Sequence, residues 1–288
     1  MATVVSLKRR MKAAQNVSKT TKAMQMISAS KLKRAQFAAL STRPYVSGLD
    51  LMTRNIIGAI DTATFKHPYM QNSAQTGKTL VIILAPDKGL CGGLVSNLLR
   101  EHLTYHKENR DNSFYIPIGK KIEGYVARLS KDVIATFRFG ITSPTFDIIS
   151  PIMKIIDEYY LGGKVDSVKV LFTNFKSFFA QVPTIATLLP IELPQETVGG
   201  KKSSFYLFEP DASEILPDLL RHHIEMTLYH FFLESYLSEQ ASRMIAMQNA
   251  TTNANDIIED LRLEYNKTRQ AKITGELLDI TGAAIAAA

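Results

Sequence analysis

The residues best placed to do chemistry sit in one short stretch, Pro86-Asp87-Lys88-Gly89-Leu90-Cys91-Gly92-Gly93, between a run of β-branched residues and a helical run. Its glycines would let backbone N–H groups converge on a phosphate at the start of the following helix. Yet the stretch lacks the Walker spacing of Gly, four residues and Gly-Lys-Ser/Thr, and it lacks Gly-x-Gly-x-x-Gly. It reads as a tight turn carrying an interaction surface ahead of a nucleotide site. Cys91, beside that helix start, has the setting of a thiolate nucleophile. Its general base would have to come from His67, His102, His106, His222, His223 or His230, and no spacing singles one out. A small buried structural thiol is the reading that pattern favours. His102 and His106 lie one helical turn apart, but no Cys or carboxylate ligand set accompanies them and the Glu of His-Glu-x-x-His is missing. They read as solvated surface. No paired carboxylates and no Ser-His-Asp arrangement stand out, so no catalytic residue, cofactor or metal is expected.

The elements that would position this loop are unusual in length. Thr3 to Thr42 and Asp218 to Thr274 contain no Gly and no Pro and carry apolar residues at helical spacing. At ~1.5 Å of rise per residue they would run roughly 60 Å and 85 Å, against an average helix of ~11 to 12 residues. Helices that long must pack on each other or on something outside the chain. On the first, Leu7, Met11, Ala14 and Val17, then Met24, Ser28, Leu32, Ala35 and Ala39, form a narrow seam of the coiled-coil kind. Pro44 is expected to kink or stop that rod, with Val46, Leu49, Met52, Ile56 and Ile60 resuming the spacing beyond it. On the second, Leu220, Ile224, Leu228, Phe231 and Ser235, and later Ile258, Leu261, Tyr265 and Thr268, keep the step. Pro217 fits there only if it lies close to the helix start. Gln248 to Asn255 is a run of weak helix formers in mid-rod, at roughly half a kcal/mol per Asn or Thr. Something must offset that cost, unless the run is a merely tolerated polar face.

Between the rods the period changes. Thr79 to Ala85, Phe114 to Ile118, Val133 to Phe137, Val165 to Phe172, Thr184 to Pro190 and Phe205 to Phe208 read as strands. The stretch through Leu94, Leu98, His102 and Tyr105, then Lys120 to Leu129 and Thr145 to Tyr160, read as helices. Alternation at this spacing argues for an α/β layer with a mainly parallel, Rossmann-like sheet, ending in an antiparallel edge. The expected division is 1–60 and 210–288 as the N- and C-terminal helices of an antiparallel coiled coil, with 75–209 as the central α/β domain.

With 288 residues and 45% hydrophobic composition, the chain can build one substantial core plus an extension. Its longest apolar runs, such as Leu80 to Ala85 and Ile185 to Ile191, fall short of the ~20 residues that cross a bilayer, and no secretory signal opens it. The single Cys91 excludes an internal disulfide, and the sequons at Asn16, Asn249 and Asn266 carry no weight in a reducing compartment. The net charge of +7 is concentrated: residues 1–49 hold ten Lys and Arg and no acid, so the rest of the chain sums to −3. Such a segment suits nucleic acid, an anionic membrane surface or an acidic protein partner, and its composition also fits an organellar transit peptide. The apolar pattern continues without a break past a presequence length.

Three stretches carry a family resemblance: Lys19-Thr20-Thr21-Lys22-Ala23-Met24-Gln25-Met26-Ile27-Ser28-Ala29-Ser30-Lys31-Leu32-Lys33-Arg34-Ala35; Asp87-Lys88-Gly89-Leu90-Cys91-Gly92-Gly93-Leu94; and Ser238-Glu239 through Arg243-Met244 and Met247 to Ala254, to Tyr265-Asn266-Lys267-Thr268-Arg269-Gln270-Ala271 with Ile273-Thr274. They resemble, in family order, the gamma subunit of F-type ATP synthases, of bacterial type since the helix starts with the first residues. The resemblance implies a single family-level domain over 1–288 and a central-stalk rotor. In it an antiparallel coiled coil turns inside a ring of alpha and beta subunits, and the α/β domain touches the epsilon subunit and the c-ring of the membrane sector. It implies a non-catalytic subunit that couples proton translocation to ATP synthesis or hydrolysis, peripheral to the cell inner membrane on its cytoplasmic side. It places Lys22 and Met24 near lever segments of the beta subunits. Arg243, Arg269 and Gln270 fall against catch loops of the ring, Asn249 in a polar contact surface, and Asp87 and Lys88 in the contact turn of the middle domain. The apolar end, Ile273 to Ala288, would turn in a greasy collar. Chloroplast-type relatives insert a regulatory cysteine pair; Cys91 stands alone, which excludes that control.

Two rivals remain at this stage. A basic coiled-coil protein could use the first helix against phosphates, although no aromatic residues are interleaved for base stacking. A thiol enzyme could be built on Cys91.

Overall fold

The computed structural model describes residues 3–59, 67–70, 76–109, 112–129, 132–140, 142–191, 209 and 211–286. Two helices dominate it: α1, Val4–Ala59, of 56 residues, and α5, Ala212–Ala286, of 75. Between them lie β1 (Thr79–Leu84), α2 (Leu94–Glu108), β2 (Ser113–Ile118), α3 (Lys120–Leu129), α4 (Ile149–Tyr160), β3 (Ser167–Phe175) and β4 (Gln181–Leu189). The chain divides into two compact units. One holds residues up to Ala29 and from Arg243; the other holds Ser30–Ser242.

In the first unit α1 and α5 pair antiparallel. Ser18 Oγ donates to Asn255 Oδ1 at 2.7 Å, and the Thr21 and Thr251 hydroxyls meet at 2.7 Å, so the numbers fall on one helix as they rise on the other. The residues of α1 shielded there include Val4, Leu7, Met11, Ala14, Ser18, Thr21, Gln25 and Ser28, in alternating steps of three and four. On α5, Met247, Thr251, Ala254, Ile258, Leu261, Tyr265 and Thr268 repeat the same step. A 3.5-residue period is the coiled-coil signature. It corrects the seam expected from apolar residues alone: Val17 is 52% exposed, and Ser18 and Thr21 hold the inward positions. Small polar side chains at these points let the backbones approach while their hydroxyls stay bonded.

In the second unit the sheet runs β2-β1-β3-β4, with β1 parallel to both β2 and β3 and with β4 antiparallel to β3. One face packs Val81, Ile83, Tyr115 and Leu171 against Leu98 of α2 and Ile122 of α3. Val133–Phe137, expected as a strand, makes only isolated bridges to Tyr115 and Ile118. The cause is Pro117 in β2, which has no N–H to give: Ile134 N bonds Tyr115 O, then the pairing slips so that Phe137 N bonds Pro117 O. Thr145 to Tyr160, expected as one helix, opens with a 3₁₀ turn at Phe146–Ile148 before α4. The expected strand at Phe205–Phe208 lies outside the described residues.

Helix α1 continues through Pro44 instead of stopping. Pro44 and Leu40, whose carbonyl loses its partner, both lie on the exposed face, so water can take over that carbonyl. The seam behind them stays intact at Ala39, Leu49, Thr53 and Ile56, and Met52, expected inward, points out. Pro217 is only the sixth residue of α5, where the expected tolerance holds. Every residue of α5 from Phe232 to Ala241 is buried. Phe232 stacks on Phe139 at 5.4 Å between centroids and Phe231 on Phe172 at 4.3 Å, contacts of ~0.5–1.5 kcal/mol each beyond their area.

Candidate functional site

The loop after β1 is built by close approach. Gly119, at φ +108, passes so near β1 that a Cβ there would stand 1.9 Å from the Ala85 carbonyl oxygen, so only glycine fits. That turn sets the start of α3 beside Asp87, whose carboxylate accepts the Lys120 N–H at 2.7 Å and the Gly140 N–H at 2.8 Å. Asp87 thus ties the loop together and sits at the positive end of α3. Lys88 projects outward, and Leu90 is exposed at φ +62, a left-handed conformation that costs a non-glycine residue ~1–2 kcal/mol. A strained, exposed Leu is a feature that sequence reading missed.

This loop lies at the carboxyl ends of the parallel strands, where open α/β sheets ordinarily hold ligands. Here α5 lies across them: Ser242 Oγ donates to the Cys91 carbonyl at 2.6 Å and Ser238 Oγ to the Thr173 carbonyl at 3.0 Å. The crevice a nucleotide would use is filled by the chain's own helix. Cys91 is buried, at 2% exposure, which removes it from any substrate in solution and favours the structural thiol.

His102 and His106 are a correction: both are buried, not solvated. The two rings stack at 6.0 Å, and the Tyr115 hydroxyl sits 2.9 Å from His106 Nδ1. Burial, with His106 as a lesser cause, pushes the His102 imidazole down to about 4. Among the described residues neither His102 ring nitrogen has a hydrogen-bond partner. Among the described residues no group of three or more His, Cys, Asp or Glu side chains could hold a metal.

Six of the expected contact residues lie in the paired-helix unit. Lys22 is exposed, with Nζ donating to Gln25 Oε1 at 3.3 Å, and Met24 is half-buried beside it. Arg243 is half-buried; Asn249, Arg269 and Gln270 are exposed. The mid-rod polar run divides between two uses. Thr251, Ala254 and Asn255 face α1, while Gln248, Asn249, Thr252 and Asn253 face outward. The inward half is what offsets the poor helix propensity. Around the seam, Lys8, Arg9, Arg10, Lys12 and Lys19 are exposed, and among the described residues none of them forms an ion pair. The outward face of α1 in this unit is therefore basic, while α5 exposes Asp256, Glu259, Asp260 and Glu264 beside it.

Known proteins agree with this architecture over its whole length. A family model described as ATP synthase matches residues 3–287. The ATP synthase gamma chain of Dehalococcoides mccartyi is 36% identical over 288 residues, all of both chains. That of Roseiflexus is 36% identical over 100% of this chain and 99% of its own. Among solved structures, a chain of the central stalk and c-ring of Tetrahymena thermophila mitochondrial ATP synthase superposes with a TM-score of 0.60 at 26% identity, over 80% of this chain and 99% of that one. A chain of the Euglena gracilis mitochondrial ATP synthase shares the fold with a TM-score of 0.69 at 18% identity, over 98% and 94%. The relatives give no support to a nucleic-acid-binding rod. Full-length agreement in sequence and in the order of helices and sheet leads to one assignment: this chain belongs to the ATP synthase gamma-chain family.

Proposed function

We propose that this chain is the central-stalk rotor subunit of an F-type ATP synthase, coupling proton translocation in the membrane sector to ATP synthesis or hydrolysis in the catalytic head. It makes no bonds in ATP; the enzyme is the assembly. The observation that supports this best is the paired-helix surface. Its seam is satisfied within the chain, while Lys8, Arg9, Arg10, Lys12 and Lys19 of α1 face outward and form no ion pair among the described residues. A rotor needs contacts that form and exchange, and exposed ion pairs at ~0–1 kcal/mol each meet that need. In this reading acidic segments of the beta subunits meet Lys22 and Met24. The alpha and beta ring meets Arg243, Asn249, Arg269 and Gln270. Asp87 acts by holding the loop that presents Lys88, and the α/β domain carries the epsilon subunit and the c-ring. Functionally the chain divides at 1–60, 75–209 and 210–288. Among the described residues no helix is long and apolar enough to cross a membrane. The reading therefore makes the chain peripheral, held at the cytoplasmic side of the inner membrane through the complex.

The test is reconstitution of the head and membrane sector in vesicles with and without this chain. Proton-driven ATP synthesis is expected only when the chain is present; synthesis at full rate without it would defeat the assignment.

A further inference from the structure

Buried and half-buried polar side chains along α5 have partners that the rotor surface does not explain. Glu234, Ser238 and Ser242 follow one another at four-residue steps, which places them on one face of the helix. Each meets a backbone group of the α/β domain. Glu234 Oε2 accepts the Phe175 N–H at 3.2 Å at the end of β3, Ser238 donates to the Thr173 carbonyl at 3.0 Å, and Ser242 donates to the Cys91 carbonyl at 2.6 Å. Glu234 also binds α1: Arg43 Nη2 donates to its Oε1 at 3.0 Å, with His230 Nε2 3.6 Å away on its own helix. The Glu234 side chain is only 4% exposed. One carboxylate thus joins α1, α5 and the sheet.

Apolar packing resists separation, but the hydrophobic effect is non-directional and does not by itself single out one angle of α5 on the sheet. A row of hydrogen bonds to fixed backbone atoms is directional. Rolling α5 on the sheet breaks all three bonds and leaves buried groups unsatisfied, including a carboxylate deprived of its partners, which is the costly outcome. We propose that Glu234, Ser238 and Ser242 form a torque latch that keeps the α/β domain from turning on α5 under load, with Glu234 as its positioning residue. The latch rests on the rotor reading and adds to it the point at which rotation passes between sheet and helices.

The experiment measures ATP hydrolysis and ATP-driven proton uptake together in the whole reconstituted complex. It compares the parent, Ser238→Ala/Ser242→Ala, and the triple variant that adds Glu234→Gln. Hydrolysis is expected to stay within about twofold of the parent, while protons moved per ATP fall about threefold in the double variant and about tenfold in the triple. Ile122→Val, a core truncation away from the latch, is expected to lower the thermal midpoint and leave that ratio untouched, so loss of stability alone is excluded as the cause. An unchanged ratio in the variants overturns the latch. If the triple variant does not assemble, the double variant decides by the same ratio. The two readings fail differently: a latch that is wrong leaves the ratio unchanged in a complex that still requires this chain, whereas a rotor that is wrong leaves proton-driven synthesis intact when the chain is omitted.

Discussion

The same two helices behave differently in the two units. Where their ends pair, up to Ala29 and from Arg243, the contact is a narrow seam of apolar residues interrupted by small and polar ones, and most of each helix faces solvent. Within Ser30–Ser242, α5 is buried on all sides for ten residues and hydrogen-bonded to α1 and to the sheet. The heptad step of α1 runs through both, so the period does not make the difference. What differs is which groups are left over. The paired ends bond across their seam and leave the basic side chains of α1 outward, whereas in the other region Glu234, Ser238 and Ser242 of α5 are bonded to groups of the same unit.

That contrast is broken most severely in the buried stretch. Phe232→Ala removes a ring stacked on Phe139, and unfolding measurements should register a loss of about 3–5 kcal/mol, against about 1 kcal/mol for substitutions at the polar seam positions of the other unit. Next comes the acid limb of stability. His102 is neutral when folded, with its value lowered from 6.5 to about 4. The unfolded chain therefore binds more protons in that interval. The contribution of His102 to stability is fully present above pH 6.5 and is expected to decline as pH falls toward 4, by up to about 3 kcal/mol. Denaturant titrations across that range should show the slope in the parent and a flatter one in His102→Phe. A smaller effect sharpens the seam: Thr21→Val should cost no more than about 1 kcal/mol, because the Thr251 hydroxyl left behind still donates to the Met247 carbonyl at 2.8 Å, and a double-mutant cycle with Thr251→Val should isolate the hydroxyl–hydroxyl bond. Smallest is Lys22→Glu, expected to change the stability of the isolated chain by no more than about 0.5 kcal/mol while slowing hydrolysis in the assembled complex.

Much of this was legible before the fold. Long stretches free of Gly and Pro marked both helices, and a change to β-branched runs marked the sheet. Apolar residues alone mark the seam at Leu7, Met11 and Ala14 and miss it at Val17, whereas a strict 3.5 step leads to Ser18 and Thr21 despite their polarity. His102 shares the step of Leu94 and Leu98 and so stood on the apolar face of α2, but its residue type argued for water. The pairing of Val133–Phe137 failed at Pro117, on a different strand, which reading the segment alone does not reveal. The row of Glu234, Ser238 and Ser242 was beyond reach for a similar reason. Its partners are backbone atoms of distant elements, and a buried carboxylate looks like a solvated one until its neighbours are known.

The central claim is that the two ends of the chain turn together as one body. Cysteines placed at Ser18 and Asn255, whose side chains already touch, allow that to be measured by oxidising the assembled complex in vesicles and following proton-driven ATP synthesis. The account predicts that the intrachain disulfide forms and that synthesis continues at the parent rate, since both cysteines ride on the same rotor. Synthesis that stops on oxidation and returns on reduction would contradict it.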